Sequence, residues 1–209
     1  MDIISYFLEP KIIISTLGTF GVIAIIFLET GFFFGFFFPG DSLLFTAGFL
    51  ASKGILPLPV LIVGTFLAAV IGDSVGYYFG KKIGPSIFSR ENSLFFNKEN
   101  VAKAQHFYEE HGKKTIILAR FIPIVRTFAP IVAGIGKMKY KTFFTYNIFG
   151  ALIWAVGLVF LGYFFGSLIP NAEKYVLLTV LAIICISAFP ALIQIFKHAK
   201  KKWNDTETN

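Results

Sequence analysis

Apolar positions in this chain do not alternate with polar ones; they come in long unbroken runs. Four runs, at roughly 10–28, 56–80, 142–168 and 175–196, are long enough to cross a bilayer, since about 20 helical residues span ~30 Å of hydrocarbon. Lipid admits only helices and closed barrels. A barrel needs period-two alternation, so the runs predict helices. Two further apolar stretches are interrupted: 30–52 by Pro39-Gly40-Asp41, and 114–136 by Arg120, Pro123, Arg126 and Pro130. Each arm of about 10 residues rises ~15 Å as a helix, half a bilayer. Both stretches are therefore expected to be re-entrant hairpins with tips near the midplane. The expected fold is all-α, with four transmembrane helices and two opposed hairpins. Residues 1–196 form one membrane domain and 197–209 a basic tail.

Composition agrees. Of 209 residues, 56% are hydrophobic, 18% are aromatic and 15% are charged, against about 25% charged in a soluble domain. A soluble fold of this size has too little interior for that much apolar surface. Disordered chains, soluble enzymes and secreted disulfide scaffolds are excluded. The single Cys185 lies in an apolar run, which argues against an intrachain disulfide or a thiolate metal cluster. Asp2 and Glu9, with no basic n-region, argue against a cleaved signal peptide.

The net charge of +7 fits basic cytoplasmic loops better than nucleic acid. With four spans and two hairpins, fifteen basic residues share one side: Lys11, those of 81–113, Lys114, Lys137, Lys139, Lys141 and four lysines of the tail. Only Lys53 and Lys174 fall opposite. That is the asymmetry of a positive inside, with both termini cytoplasmic. A full crossing by 30–52 would put the basic residues of 81–113 opposite the N-terminus. The stretch 83–113 reads either as a solvated connector or as a surface amphipathic helix, capped by Asn97 and ended by Gly112. His106 and His111 there read as surface residues, and no metal or cofactor is expected.

Sliding the sequence by 86 residues aligns the two halves without a gap. Residues 47–80 match 133–166 at 11 of 34 positions, including Gly48 with Gly134, Gly64 with Gly150, Gly76 with Gly162 and Gly80 with Gly166. The units are inverted in this topology, as in many secondary transporters. Glycines 72, 76 and 80, and 162 and 166, form faces on which helices can approach closely.

The ionisable residues at membrane depth are Glu29, Asp41, Asp73, Arg120 and Arg126. Each costs about 2.5–3.5 kcal/mol at a helix centre, so each needs a partner or a wet cavity. Acids on one hairpin and arginines on the other can meet at the centre. Arginine grips phosphate or carboxylate with a planar fork, and a carboxylate in lipid couples readily to protons. Such a set suits movement of an anionic head group with proton exchange on Glu29 or Asp41. Purely structural ion pairing is the plain alternative.

These residues also carry a resemblance. Glu29 with Phe38-Pro39-Gly40-Asp41-Ser42-Leu43-Leu44, Gly72-Asp73 with Tyr77 and Gly80-Lys81, and Arg120-Phe121-Ile122-Pro123 with Arg126-Thr127-Phe128-Ala129-Pro130 resemble signatures of the DedA family. Asn147 and Trp154 fit as well, and Lys81 stands where Arg is usual. The resemblance covers about residues 20–170. It implies a bacterial inner-membrane, non-enzymatic relative of the VTT-domain lipid scramblases. The expected partners are a lipid, protons and the bilayer, with room for a homo-oligomer and none for nucleic acid. It implies an acidic set of Glu29, Asp41 and Asp73, head-group contacts from Arg120, Arg126 and Thr127, and hairpin positions Pro39, Gly40, Pro123 and Pro130. Undecaprenyl phosphate is the favoured cargo, because two arginines suit a phosphomonoester. Phosphatidylethanolamine scrambling and proton-coupled export of cations or drugs are the alternatives. A lipid phosphatase fits less well, since no Arg follows Ser42 and His106, His111 and His198 lie outside the expected bilayer.

Overall fold

The computed structural model describes residues 10–32, 39–87, 115–169, 175, 178 and 179. Among them the chain is helical, with no strand. The helices are α1 (Pro10–Gly31), α2 (Gly40–Ser52), α3 (Leu58–Ile87), α4 (Thr115–Ala119), α5 (Pro123–Ile135) and α6 (Tyr140–Ala151). A π-helical turn, Leu152–Val156, joins α6 to α7 (Gly157–Leu168). Most of the 83–113 connector, the 175–196 run and the tail lie outside the described residues.

Two helices are long and apolar enough to cross a membrane, Leu58–Lys82 and the continuous Tyr140–Leu168. Val60, Val63, Leu67, Ile71 and Val75 are exposed at helical spacing along α3, and Phe149, Ile153, Phe160 and Phe164 along α6–α7. A chain in water would bury such stripes; lipid removes the need. The two long helices are antiparallel, for Asn147 bonds the Val70 carbonyl at 3.0 Å while Tyr140 reaches Ser74 at 3.3 Å. Around them Val22, Ile26, Leu43, Leu44, Leu61 and Trp154 form the centre of the main apolar core.

The first boundary departs from expectation. A span at 10–28 followed by a hairpin from 30 would break the helix beside Glu29. Instead α1 breaks at Gly18, whose φ of 61° and ψ of −156° are non-helical and are reached freely only without a Cβ. Glu29 lies inside the helix. From Gly18 onward α1 runs parallel to α3, with Ile23 on Gly64 and Gly31 on Gly72. The next described helix, α2, begins at Gly40. The stretch 114–136 folds as α4, a turn at Arg120–Ile122, and α5. Proline suits the opening of α5, since a first-turn residue needs no N–H partner.

The half-length helices pack onto the long ones, α2 on α7 and α5 on the C-terminal half of α3. Backbones touch. A Cβ on Gly48 would collide with the Val159 carbonyl, on Gly162 with that of Phe45, on Gly80 with that of Ile131, and on Gly134 with that of Tyr77. Close backbone approach through glycine is how helices associate in lipid, where apolar burial supplies little drive.

Candidate functional site

The helix ends converge on two groups of buried charge. In the first, Arg126 on α5 donates through Nη2 to Glu29 of α1 and through Nη1 to Asp41 of α2, the latter at 2.6 Å. Trp154 Nε1 donates to the same Asp41 oxygen at 2.7 Å. The guanidinium also lies over the Trp154 ring, 4.4 Å from its centroid, a cation–π arrangement that gains strength away from water. Glu29 is fully buried, and its carboxylate rests against Gly40 where any Cβ would stand. The glycine of Pro39-Gly40-Asp41 is thus required by a residue eleven positions earlier.

In the second group Arg120 donates through Nη2 to Asp73 of α3 and to the Asn147 side-chain oxygen of α6. Asn147 in turn bonds the Val70 carbonyl through its amide. The Arg120 guanidinium is 5.7 Å from the Trp154 ring centroid, so both arginines lie against the one indole. Arg120 and the first-turn region of α5 are positioned by the turn at 120–122, where the Ile117, Leu118 and Ala119 carbonyls accept from successive backbone N–H groups. Pro130 sits inside α5 and brings no N–H for the Arg126 carbonyl four residues back.

The structure therefore brings Glu29, Asp41 and Arg126 together and gives Asp73 to Arg120. The expected meeting of one acidic hairpin with one basic hairpin is only half of the arrangement, because the second arginine is held by the long helices. Thr127 is buried beside Arg126 on α5. Pro39 precedes α2, and its carbonyl accepts from Leu43 N–H and the Ser42 hydroxyl. Asn147 and Trp154, outside the expected site, are integral to it. Both fit the family resemblance, and a buried asparagine in an apolar run was a further signal for the first. The π-helical turn that carries Trp154 is a feature often found at functional sites. Among the described residues no group of His, Cys, Asp and Glu could hold a metal.

Several buried polar atoms of these groups have no hydrogen-bond partner among the described residues: Glu29 Oε2, Asp73 Oδ1, Arg120 Nε and Nη1, and Arg126 Nε. A groove of about 520 Å³ opens beside them, lined by Asp41, Trp154, Phe121, Ile153, Gly157, Leu158, Phe160, Leu161 and Phe164. A second hollow of about 430 Å³ shares Leu158, Leu161 and Phe164 and continues to Phe45, Phe165, Leu168, Ile169 and Thr179. Together they form an apolar path along α7 that ends on the Asp41 carboxylate and the Trp154 indole.

Comparison with known proteins adds the following. Residues 38–164 match the family model described as the VTT domain, a span that contains every charge named above except Glu29. Protein DedA of Escherichia coli K12 is 47% identical over 178 residues, covering 84% of this chain and 81% of that protein. An uncharacterized membrane protein of Mycobacterium tuberculosis H37Rv is 41% identical over 197 residues, covering 89% and 85%. Inner membrane protein YqjA of Escherichia coli K12 is 33% identical over 156 residues, covering 75% and 70%. No solved structure matches the chain.

Proposed function

The chain belongs to the DedA family of VTT-domain membrane proteins, and from that premise we propose that it moves a lipid across the bacterial cytoplasmic membrane. The head group engages the buried charges and the hydrocarbon lies in the groove along α7. One observation carries the reading: an apolar path that ends on the Asp41 carboxylate and the Trp154 indole, with Arg126 in contact with both. Such an arrangement matches an amphiphile, a long apolar chain with a charged end. The unpartnered donors Arg120 Nε and Nη1 and Arg126 Nε favour an anion, because a buried donor without an acceptor costs about 1–3 kcal/mol that phosphate oxygens would relieve.

Three carboxylates face two guanidiniums, so the ionised set carries one negative charge too many. A single proton on an acid neutralises it. This supports coupling to the proton gradient, with proton uptake on Glu29, Asp41 or Asp73 releasing an arginine for phosphate. The cargo we favour is undecaprenyl phosphate, a phosphomonoester on a long polyprenyl chain; phosphatidylethanolamine is the next candidate. No bond is broken in this cycle. Ser42, the nearest hydroxyl to Asp41 in sequence, donates to the Pro39 carbonyl and is not poised as a nucleophile. Two re-entrant hairpins complete the proposal, the first formed by α1 beyond Gly18 with α2 and the second by α4 with α5. The test is reconstitution into liposomes with labelled undecaprenyl phosphate or phosphatidylethanolamine, with and without a pH gradient. Flux that needs Arg126 and the gradient supports it; equal flux from Arg126→Ala refutes it.

One observation favours a second reading. Asp41, an acid, is the charge that lines the groove, and acids outnumber arginines, as suits a proton-coupled exporter of amphiphilic cations. Such an exporter retains cargo binding in Arg126→Ala and loses it in Asp41→Asn.

A further inference from the structure

The groove follows α7 toward Ile169. At the opposite end of the two long helices five lysines gather. The first membrane-length stretch closes on Lys81 and Lys82, and the second opens at Tyr140, with Lys137 and Lys139 before it and Lys141 after. Packing joins these ends: Gly134 lies against the backbone of Tyr77 and Lys81, and the Tyr77 hydroxyl donates to the Met138 carbonyl. All five lysines are exposed. The described residues hold three acids, Glu29, Asp41 and Asp73, and each is bonded to an arginine of the buried groups. No described acid answers the lysines.

Two lysines stand where the backbone disfavours them. Helix α5 ends in a double turn, with Lys137 N–H on the Gly134 carbonyl and Met138 N–H on that of Ala133. The left-handed residue of that motif is usually glycine. Here it is Lys137, at φ 54°, the only non-glycine described residue with positive φ; Gly136 stands one position early, at φ −70°. Helix α6 then starts on Lys139 with no side-chain cap, and Lys141 lies in its first turn. Cations at a helix N-terminus oppose the dipole. Membrane orientation asks only that lysines lie on one side, not that they occupy a left-handed residue or a helix start. An anion held between them would offset both features. Beside the lysines runs a row of rings. Tyr140 lies 5.0 Å from Tyr78 and 5.6 Å from Phe144, centroid to centroid, and Tyr78 and Phe144 are exposed. Buried Tyr77, stacked on Phe143 at 4.7 Å, ties the lysine turn to α3.

We propose that this end of the bundle is a docking site for an anionic phospholipid, separate from the groove and independent of any transported cargo. The lipid phosphate sits among Lys137, Lys139 and Lys141, with Lys81 and Lys82 adding charge, and the acyl chains lie against Tyr78, Tyr140 and Phe144. Basic clusters where helices leave the membrane attract anionic head groups, and tyrosine rings suit the same depth. The ring row favours a lipid over phosphate in solution, because it offers apolar surface directly beside the charge. Occupancy braces the turn between α5, which carries Arg126, and α6, which carries Asn147.

Thermal melting of the purified full chain in mild detergent, titrated with lipid, tests this. Dioleoylphosphatidylglycerol is expected to raise the melting temperature saturably, well beyond dioleoylphosphatidylcholine or inorganic phosphate at equal concentration. Lys137→Gly is expected to raise the lipid-free melting temperature by about 2–4 °C, since glycine is at ease in the left-handed region. The same variant should weaken half-saturation by phosphatidylglycerol about fivefold. A variant more stable than the parent yet poorer at binding is not a misfolded one. Lys141→Gln should weaken binding similarly, Lys137→Arg should retain it, and Lys53→Gln, at the other end of α3, should leave it unchanged. Equal shifts from phosphatidylglycerol and phosphatidylcholine, or unchanged affinity in both Lys137→Gly and Lys141→Gln, overturn the site. An equal rise with inorganic phosphate overturns a lipid as its occupant.

Discussion

Gly40→Ala is a one-methyl change that is expected to break a charge pair. The new Cβ would lie 2.5 Å from Glu29 Cδ and 2.6 Å from its Oε1, where ordinary contact begins at 3.4 Å. Glu29 Oε2 lies closer still, so the carboxylate must retreat by about 1.5 Å in a site packed at close to crystal density. Its side chain is 0% exposed, so no solvent stands ready to receive it. Retreat pulls the carboxylate from Arg126. Overpacking alone costs about 1–3 kcal/mol, and disrupting a buried ion pair about 3–5 kcal/mol. The two are alternatives for one displacement, so about 3–5 kcal/mol is expected in all. At roughly 2–4 °C per kcal/mol for a chain of this length, the melting temperature falls by about 6–20 °C. Thermal unfolding of purified protein in detergent reads this directly. A double-mutant cycle isolates the cause, because in Glu29→Ala the added Gly40→Ala should cost less than about 1 kcal/mol. A shift under about 2 °C in the single variant, or the same loss in both backgrounds, would refute the reasoning.

Other outcomes follow from the same contacts. Gly80→Ala places a methyl on the Ile131 carbonyl and is expected to lose more than about 2 kcal/mol, whereas Gly157→Ala meets nothing within 4 Å and gains up to about 1 kcal/mol of helix propensity; melting curves of the two should move in opposite directions. Trp154→Phe keeps a ring near Arg126 but deletes the bond to Asp41, for an expected loss of about 1.5–3 kcal/mol, and Trp154→Ala should lose more in the same assay. Asn147→Leu removes the acceptor of Arg120 and the donor to Val70, and is expected to lower stability by about 2–4 kcal/mol; equal melting temperatures would contradict a bonding role for Asn147.

The membrane class and the long helices, expected at 56–80 and 142–168 and found at Leu58–Lys82 and Tyr140–Leu168, were legible in the chain, because lipid imposes its demand on every residue of a run at once. So were the charges that matter, since an ion at membrane depth is expensive wherever it finally points. The break at Gly18 was not legible: glycine permits a helix as readily as a break in lipid-embedded packing, and only Ile23 on Gly64 and Gly31 on Gly72 settle the direction of α1. Nor was the division of the charges. Sequence alone offered any acid to either arginine; packing of α5 on α3 and α2 on α7 assigned Arg126 to Glu29 and Asp41, and Arg120 to Asp73 and Asn147. Trp154, in the π-helical turn, meets both guanidiniums only once the helices have packed. What a chain determines by itself is which residues must leave water; which of them then meet depends on backbone-to-backbone register between helices far apart in sequence, and a slip of one turn changes the partners without changing a single residue.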